Sequence, residues 1–381
     1  MTAPVRLGVI GVGCMGQGHC GAIAKVADAR LTAVCDTNPE VGKQIAAQYQ
    51  VPFFRSHRKL LAAKVCDAVL VVTPHPEHPK IAIDAMRAGL HVLCEKPLTE
   101  RVSTADEMIR VAAETKVVFA IDFQRRTEPA VLKALELVRS GALGKLYRRT
   151  LISPEFRTQR YYDSGGWRAT WKGEGGGVMM NQSPHVLDLF ILLGGMPNRV
   201  IGRTETRLHH IEVEDLAEAM LAYPDGGTGS LYCSTCEAGP GQMIELFGDR
   251  GKLCWRDGRL QCWAFDQPLA EFLRTTPEMW GSPKANEVPL TIPEAEAGHV
   301  IVQRRFVGRI LRGEPLVAGG EEGLQSLELA NAVWLSSATG KAVDLPLNRQ
   351  AYDRFLRRKR RESTFVKTVH QVTETDPQHK V

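Results

Sequence analysis

The chain is 381 residues long, 44% hydrophobic and 24% charged, with 48 Lys and Arg against 43 Asp and Glu for a formal net charge of +5. That length exceeds one ordinary hydrophobic core and predicts two domains, and the balance of apolar and charged residues excludes a disordered or fibrous chain. No apolar run approaches the roughly 20 residues of a membrane span, and the run Arg357-Arg358-Lys359-Arg360-Arg361 alone equals the net charge, so neither a membrane nor a nucleic acid is an expected partner.

Met1-Thr2-Ala3-Pro4 leads directly into a strand, Val5 to Ile10, which leaves no room for a signal peptide. Gly11-Val12-Gly13-Cys14-Met15-Gly16 follows, then a helix over Gln17 to Val26 and a second strand, Leu31 to Cys35, ending on Asp36. The glycines have separate tasks: Gly11 permits a tight turn, Gly13 lets a pyrophosphate approach the backbone, and Gly16 lets helix and strand pack closely. Amides at the helix start, from Cys14 and Met15 onward, then face the phosphates. Asp36, twenty residues past Gly16, is placed to accept hydrogen bonds from both hydroxyls of an adenine ribose. Its charge would repel a 2′-phosphate, and no Arg or Lys follows before Lys43, so NAD is expected over NADP.

The first half continues in alternation, with helices over 39–49 and 56–63 and a continuous apolar strand over 67–72, the pattern of a strand buried on both faces. Thr73-Pro74-His75-Pro76-Glu77-His78-Pro79 has three prolines, which predict an extended segment at the strand exit, the ligand edge of a parallel sheet. A helix over 81–88 and a strand over 90–94 deliver Glu95-Lys96-Pro97 to the same edge. Pro97 excludes helical geometry at Lys96, so the ammonium stands on a stiff, extended segment. A helix over 104–115 and a strand over 117–122 complete about six strands, a Rossmann-type α/β dinucleotide domain over residues 1–122.

Phe123-Gln124-Arg125-Arg126 begins the crossing to a second domain, 123–350. Its strands are expected at 146–155, 199–206, 216–222, 229–236, 243–248 and 252–255, with turn signals such as Pro224-Asp225-Gly226-Gly227, a largely antiparallel open sheet. Helices over 183–193, 299–312 and 323–339 would cover one face. The other face would stay apolar and be covered by a second subunit in a homodimer or homotetramer. Residues 351–381 are expected to be a basic helix and a polar tail with no chemistry of their own, and mobility is expected of the last ten or so, an expectation that lies outside the residues the structure describes. The nine cysteines, an odd count scattered through strands as at Cys35, Cys66 and Cys94, suit reduced core thiols in a cytoplasm. Cys233 and Cys236 have CxxC spacing but sit in a strand, and Cys254 and Cys262 lack a tight knuckle, so no metal is expected.

Gly175-Gly176-Gly177-Val178-Met179-Met180-Asn181-Gln182-Ser183-Pro184-His185-Val186-Leu187-Asp188 is the other distinctive stretch. Three glycines let the backbone approach something closely, and Asn181, His185 and Asp188 fall on one side of a helix. Pro184 either interrupts that helix or, with Ser183, starts it. With the glycine fingerprint, Asp36, Thr73-Pro74 and His78, Glu95-Lys96-Pro97, Gln124-Arg125-Arg126 and Trp167-Arg168, this stretch makes residues 5 to 350 resemble the Gfo/Idh/MocA oxidoreductases, named for glucose-fructose oxidoreductase and inositol dehydrogenase.

The resemblance implies a Rossmann domain followed by an α/β domain whose open sheet mediates oligomers. It adds Thr73, Pro74, His78, Glu95, Lys96 and Gln124 to the residues around NAD and places the nicotinamide over Lys96. A substrate hydroxyl would lie between Lys96 and His185, with Arg125 and Asn181 nearby. Many relatives have Asp where this chain has Asn181, and an amide can only hydrogen-bond, so proton handling would fall on His185. The expected reaction is oxidation of a secondary alcohol of a sugar, glycoside or cyclitol. His185 would act as base, Lys96 would stabilise the oxyanion and hydride would pass to NAD. Tyr161, Trp167, Arg168 and Trp171, in a Gly-rich loop, suit the faces and hydroxyls of a pyranose. An NAD-dependent glycosidase with no net redox change, and a non-catalytic NAD- and sugar-binding regulator, are the competing functions.

Overall fold

The computed structural model describes residues 3–370. Six strands form the first sheet: β1 (Val5–Ile10), β2 (Ala29–Cys35), β3 (Phe53–Phe54), β4 (Ala68–Val71), β5 (His91–Cys94) and β6 (Phe119–Ile121). Their order is β3-β2-β1-β4-β5-β6, and every pairing is parallel. The short apolar runs dictate this burial: all four residues of β4 and all three of β6 are inaccessible, as a sheet covered by helices on both faces requires. The strand order reverses between β1 and β4, so a crevice opens beyond the carboxyl ends of these strands.

The second sheet has nine strands: β7 (Leu146–Pro154), β8 (Arg199–Glu205), β9 (Leu216–Ala222), β10 (Thr228–Ser234), β11 (Met243–Gly248), β12 (Gly251–Arg256), β13 (Arg259–Phe265), β14 (Ala285–Glu287) and β15 (Val343–Asp344). The order is β14-β13-β12-β11-β7-β10-β9-β8-β15, antiparallel except where β10 runs parallel to β7. Helices Pro184–Gly194 and Gly320–Thr339 cover one face, and Leu187, Phe190, Leu329 and Val333 share its core with Val200, Leu231 and Leu246.

Several expectations are corrected. Helix one starts at Cys14, directly on the glycine loop. The segment after β4 is not extended: His75–Glu77 forms a 3-10 turn, and a helix runs from His78 to Arg87. Pro76 and Pro79 sit at the first positions of those turns, where no amide donor is needed. Ser183-Pro184 divides a short helix, Val178–Asn181, from Pro184–Gly194. Helix His299–Arg312 leaves the second half: its Val300, Val302, Phe306 and Val307 pack with Val5, Leu7 and Val9 of β1. The open face of the second sheet is mixed, with Ile152, Tyr232, Phe247 and Trp263 half-buried on it. It carries an ion-pair ladder, Arg148 to Glu245, Lys252 to Glu245 and Arg203 to Glu218, with Ile201 and Met220 the large apolar residues exposed there.

Candidate active site

The glycine loop has the geometry its residues dictate. Gly11 has φ +92°, and a side chain there would meet the Val72 carbonyl at 2.6 Å. A methyl at Gly16 would lie 2.0 Å from the Gly11 carbonyl, so the helix touches the turn at this point. At Gly13 a methyl would meet nothing within 4 Å, which leaves the approach open beside the amides that start helix Cys14–Ile23. Cys14 is exposed there and Met15 half-buried. Asp36, one residue past β2, accepts from the Val12 amide at 2.8 Å and the Asn38 amide at 2.8 Å, which fixes its carboxylate beside the turn. Two further residues at the strand exits, Thr73 and Gln124, hold buried oxygens, Oγ1 and Oε1, with no hydrogen-bond partner among the described residues. Both residues follow the carboxyl ends of strands, Thr73 after β4 and Gln124 after β6, the edge at which parallel sheets of this kind bind ligands. Pro74 is exposed next to them. His78 is buried and bridges the carbonyls of Thr73 (2.7 Å) and Pro97 (3.0 Å), so it ties the exits of β4 and β5 together.

Lys96 follows β5 by two residues, as Phe123 follows β6, and Cys94 and Ile121 are partners in the ladder. The two therefore leave the sheet side by side. The half-buried Lys96 ammonium donates to the Asn181 carbonyl at 3.2 Å. His185, 6% exposed, sets the edge of its ring against Phe123, with centroids 5.9 Å apart. A lysine from the first sheet and a histidine from the second half thus reach one strand edge.

One turn further along the same helix than His185 stands a buried ion pair. Asp188 does not join the site. It accepts two hydrogen bonds from Arg126, at 2.7 and 2.6 Å, and Arg126 also holds Glu322 and the Val317 carbonyl at 3.2 Å. Burial pushes the Asp188 carboxyl up to about 6 against the pull of Arg126. The geometry is the bidentate fork that a planar guanidinium favours in a buried pair.

Three buried carboxylates were not singled out in the sequence. Glu214 accepts from the amides of Gly177 (3.0 Å) and Met179 (3.2 Å), holding the start of the short helix that carries Asn181, and burial pushes it up to about 7. Glu174 accepts from the Asn181 side-chain amide and the Ala169 amide, and burial raises its pKa despite Arg168 nearby. Asp122 belongs with Glu95 to a buried network: His19 Nε2 lies 2.9 Å from Glu95, Gln303 Nε2 3.0 Å from His19 Nδ1, and His299 Nδ1 3.1 Å from Asp122. The donor atoms of His19, Glu95, Asp122 and His299 all lie within 4.8 Å of one another. Burial disfavours charge on Glu95 and His299, yet the His19 bond with the charges of His299 and Lys96 holds Glu95 well below the usual range. Asp122, with Glu95 behind it, lifts His299 to about 9. Glu95, which belongs to this network, also accepts from the Lys96 amide at 2.9 Å. Apart from Ala169, which is close to Glu174 in sequence, the partners of these carboxylates lie 7 to 177 residues away along the chain, so no local sequence signal marks them.

The triple glycine approaches protein rather than ligand. A side chain at Gly176 would strike Trp334 at 2.4 Å and one at Gly177 the Glu214 carbonyl at 1.8 Å. The loop ahead of it reaches both halves. The Tyr161 hydroxyl accepts from Gln182 (2.7 Å) and Arg168 (2.9 Å), and Arg168 lies over the rings of Tyr161 and Trp167. Trp167 meets His75 edge to face, while His75 contacts the Glu174 carbonyl at 2.6 Å. Arg125 binds Glu128 and Gln242, each at 2.8 Å, and lies over Trp255. Trp171 turns away from the others: it is buried edge-on against Trp334 and Phe355, so it packs the core and not the site.

Known proteins share this fold. Residues 5–123 match the family described as "Oxidoreductase family, NAD-binding Rossmann fold", and residues 131–254 the GFO/IDH/MocA C-terminal domain. Inositol 2-dehydrogenase from Rhizobium meliloti is 24% identical over 347 residues, 90% of this chain and 99% of that protein. UDP-N-acetylglucosamine 3-dehydrogenase from Acidithiobacillus ferrooxidans is 27% identical over 86% of this chain and 95% of that protein. The crystal structure of the WlbA dehydrogenase from Bordetella pertussis in complex with NADH and UDP-GlcNAcA superposes with a TM-score of 0.78 and 29% identity, over 91% of this chain and 100% of that one. With an NAD-binding Rossmann half and the matching second half on one chain, this protein belongs to the GFO/IDH/MocA oxidoreductase family.

Proposed function

We propose that the protein oxidises a secondary alcohol of a sugar, glycoside or cyclitol with NAD as the acceptor. The observation that carries this reading is the Lys96 ammonium held 3.2 Å from the Asn181 carbonyl, in the segment that leads to His185. His185 takes the hydroxyl proton as general base. Lys96 donates to the same oxygen and stabilises the negative charge that grows as the proton leaves. Bound NAD supplies the hydride acceptor. Glu174 accepts from the side-chain amide of Asn181, which leaves the side-chain oxygen Oδ1 of Asn181 to accept from a neighbouring hydroxyl. Tyr161, Trp167, Arg168 and Arg125 supply the aromatic faces and charged donors that suit a polyhydroxylated ring. Asp36 favours NAD over NADP by repelling a 2′-phosphate. The inositol and nucleotide-sugar dehydrogenases among the relatives support the substrate class. Assembly as a homodimer or homotetramer through the nine-stranded sheet, in a cytoplasm that keeps the thiols reduced, completes the proposal.

A panel of inositols, aldoses, glycosides and nucleotide sugars, each with NAD and with NADP, tests it by the appearance of reduced cofactor. Robust reduction of NAD with at least one member is the expected result. Release of an aglycone without accumulated NADH would transfer the site to the redox-neutral glycosidase chemistry. Binding of NAD and sugar with no turnover would make the protein a regulator.

A further inference from the structure

The segment after the basic helix, residues 363–370, lies across the loop that carries Tyr161, Trp167 and Arg168. Lys367 Nζ donates to three carbonyls of that loop: Tyr162, Gly165 at 3.3 Å and Arg168 at 3.1 Å. The His370 amide donates to the Asp163 carbonyl at 2.9 Å. In return the loop's Lys172 donates to the Ser363 carbonyl at 2.8 Å. Val369 stands over Gly166, where a methyl would meet its Cγ2 at 3.5 Å, and Phe365 packs on His210 with centroids 5.2 Å apart. Upstream, Arg360 anchors the helix end to the Trp171 carbonyl at 3.2 Å and to Glu100 at 2.8 Å.

The loop needs such a fastening. Residues 164–177 form no strand and no helix, and in the less buried part, 164–168, Gly165 and Gly166 leave the backbone wide freedom. Loop carbonyls without ladder partners must find donors elsewhere, and an ammonium offers three from a single atom. Lys367 is half-buried, so those bonds are shielded from competing water. Arg168 is held at both ends, its backbone by Lys367 and its guanidinium by the Tyr161 hydroxyl.

We infer that Lys367 is a positioning residue for the substrate: by gathering the carbonyls of Tyr162, Gly165 and Arg168 it sets the loop that presents Tyr161, Trp167 and Arg168 to the sugar. The inference rests on the dehydrogenase reading of the site. It separates binding from chemistry, because Lys96 and His185 stand on elements the segment does not touch. Loss of the fastening raises the KM for the alcohol, while kcat at saturation and the affinity for NAD stay as they were.

The test compares the full chain with Lys367→Met and with a chain ending at Glu362. Limited digestion with trypsin reads the loop without any substrate, since Arg160 and Lys172 are exposed in and beside it. Cleavage there should accelerate about tenfold in both variants, the scale of losing charge-assisted bonds. With the best alcohol from the panel, KM should rise roughly tenfold at unchanged kcat. Digestion at the parental rate in both variants overturns the fastening. Faster digestion with an unchanged KM overturns the role in substrate positioning, as does a fall in kcat at constant KM. If the panel yields no substrate, the dehydrogenase reading fails, and with it the assignment to substrate, while digestion still reports whether the segment holds the loop.

Discussion

Replacing His299 with Gln should flatten the pH dependence of stability between pH 7 and pH 9. His299 lies 3.1 Å from Asp122, and the surrounding carboxylates lift its pKa from 6.5 to about 9. The folded state therefore binds a proton more tightly than the unfolded chain. That contribution is fully present below pH 6.5 and is lost as the pH climbs through 9. At 1.36 kcal/mol per unit the whole effect is on the order of 3 kcal/mol, of which about 2 kcal/mol disappears between pH 7 and pH 9. Asp188, raised to about 6, has largely finished titrating at the start of that interval, while Glu214, raised to about 7, is half protonated there and titrates alike in parent and variant, so it cancels from the difference in slope. Urea denaturation of the parent and His299→Gln at several pH values across it measures the slope directly. The variant will be less stable throughout, because Asp122 loses its cation, so the slope and not the absolute value is the readout. Equal slopes in the two proteins would refute the ion pair as the source.

Lys96→Ala should keep its NAD affinity and lose turnover by about 10²-fold or more, in line with removal of an oxyanion donor, as steady-state kinetics and a cofactor titration would report. Asp188→Ala leaves Arg126 partly unpaired in the core and should cost about 3 kcal/mol, at the lower end for such pairs because Glu322 remains, as measured by denaturant unfolding. Gly13→Ala meets nothing within 4 Å and should fold normally yet bind NAD roughly tenfold more weakly, because the methyl fills the approach of the pyrophosphate. Gly16→Ala, whose methyl would lie 2.0 Å from a carbonyl, should instead lower the melting temperature.

The first half was legible because its signals are local. Buried parallel strands are continuous apolar runs, and the glycine loop is a contiguous string whose steric demands can be read residue by residue. The second sheet was legible in its long strands, but β13, β14 and β15 were missed. β14 is fully exposed and β15 has two residues, too few for alternation to register. At the site, Lys96 and His185 could be named because a proline follows the one and a glycine run precedes the other. Helical spacing puts Asp188 on the side of His185 but does not give what faces it, and Arg126 lies 62 residues away. Trp171 failed for the same reason: an aromatic in a Gly-rich loop suits a sugar or a core, and Trp334 and Phe355, which decide the matter, are far along the chain. The fastening by Lys367 depends on a residue about 200 positions from its partners, so no window on the sequence contains both.

The return of helix His299–Arg312 to the nucleotide sheet has a practical corollary for dissecting the molecule. A fragment cut after Asp122 would retain all six parallel strands and the whole glycine fingerprint, yet leave bare the seat on which Val300, Val302, Phe306 and Val307 rest. At about 1.5–3 kcal/mol for each such side chain, that deficit rivals the entire stability of a small domain. Excised nucleotide-binding halves of this chain will aggregate unless residues 299–312 are grafted back, and a permuted chain that joins the helix to the end of β6 would be the soluble form.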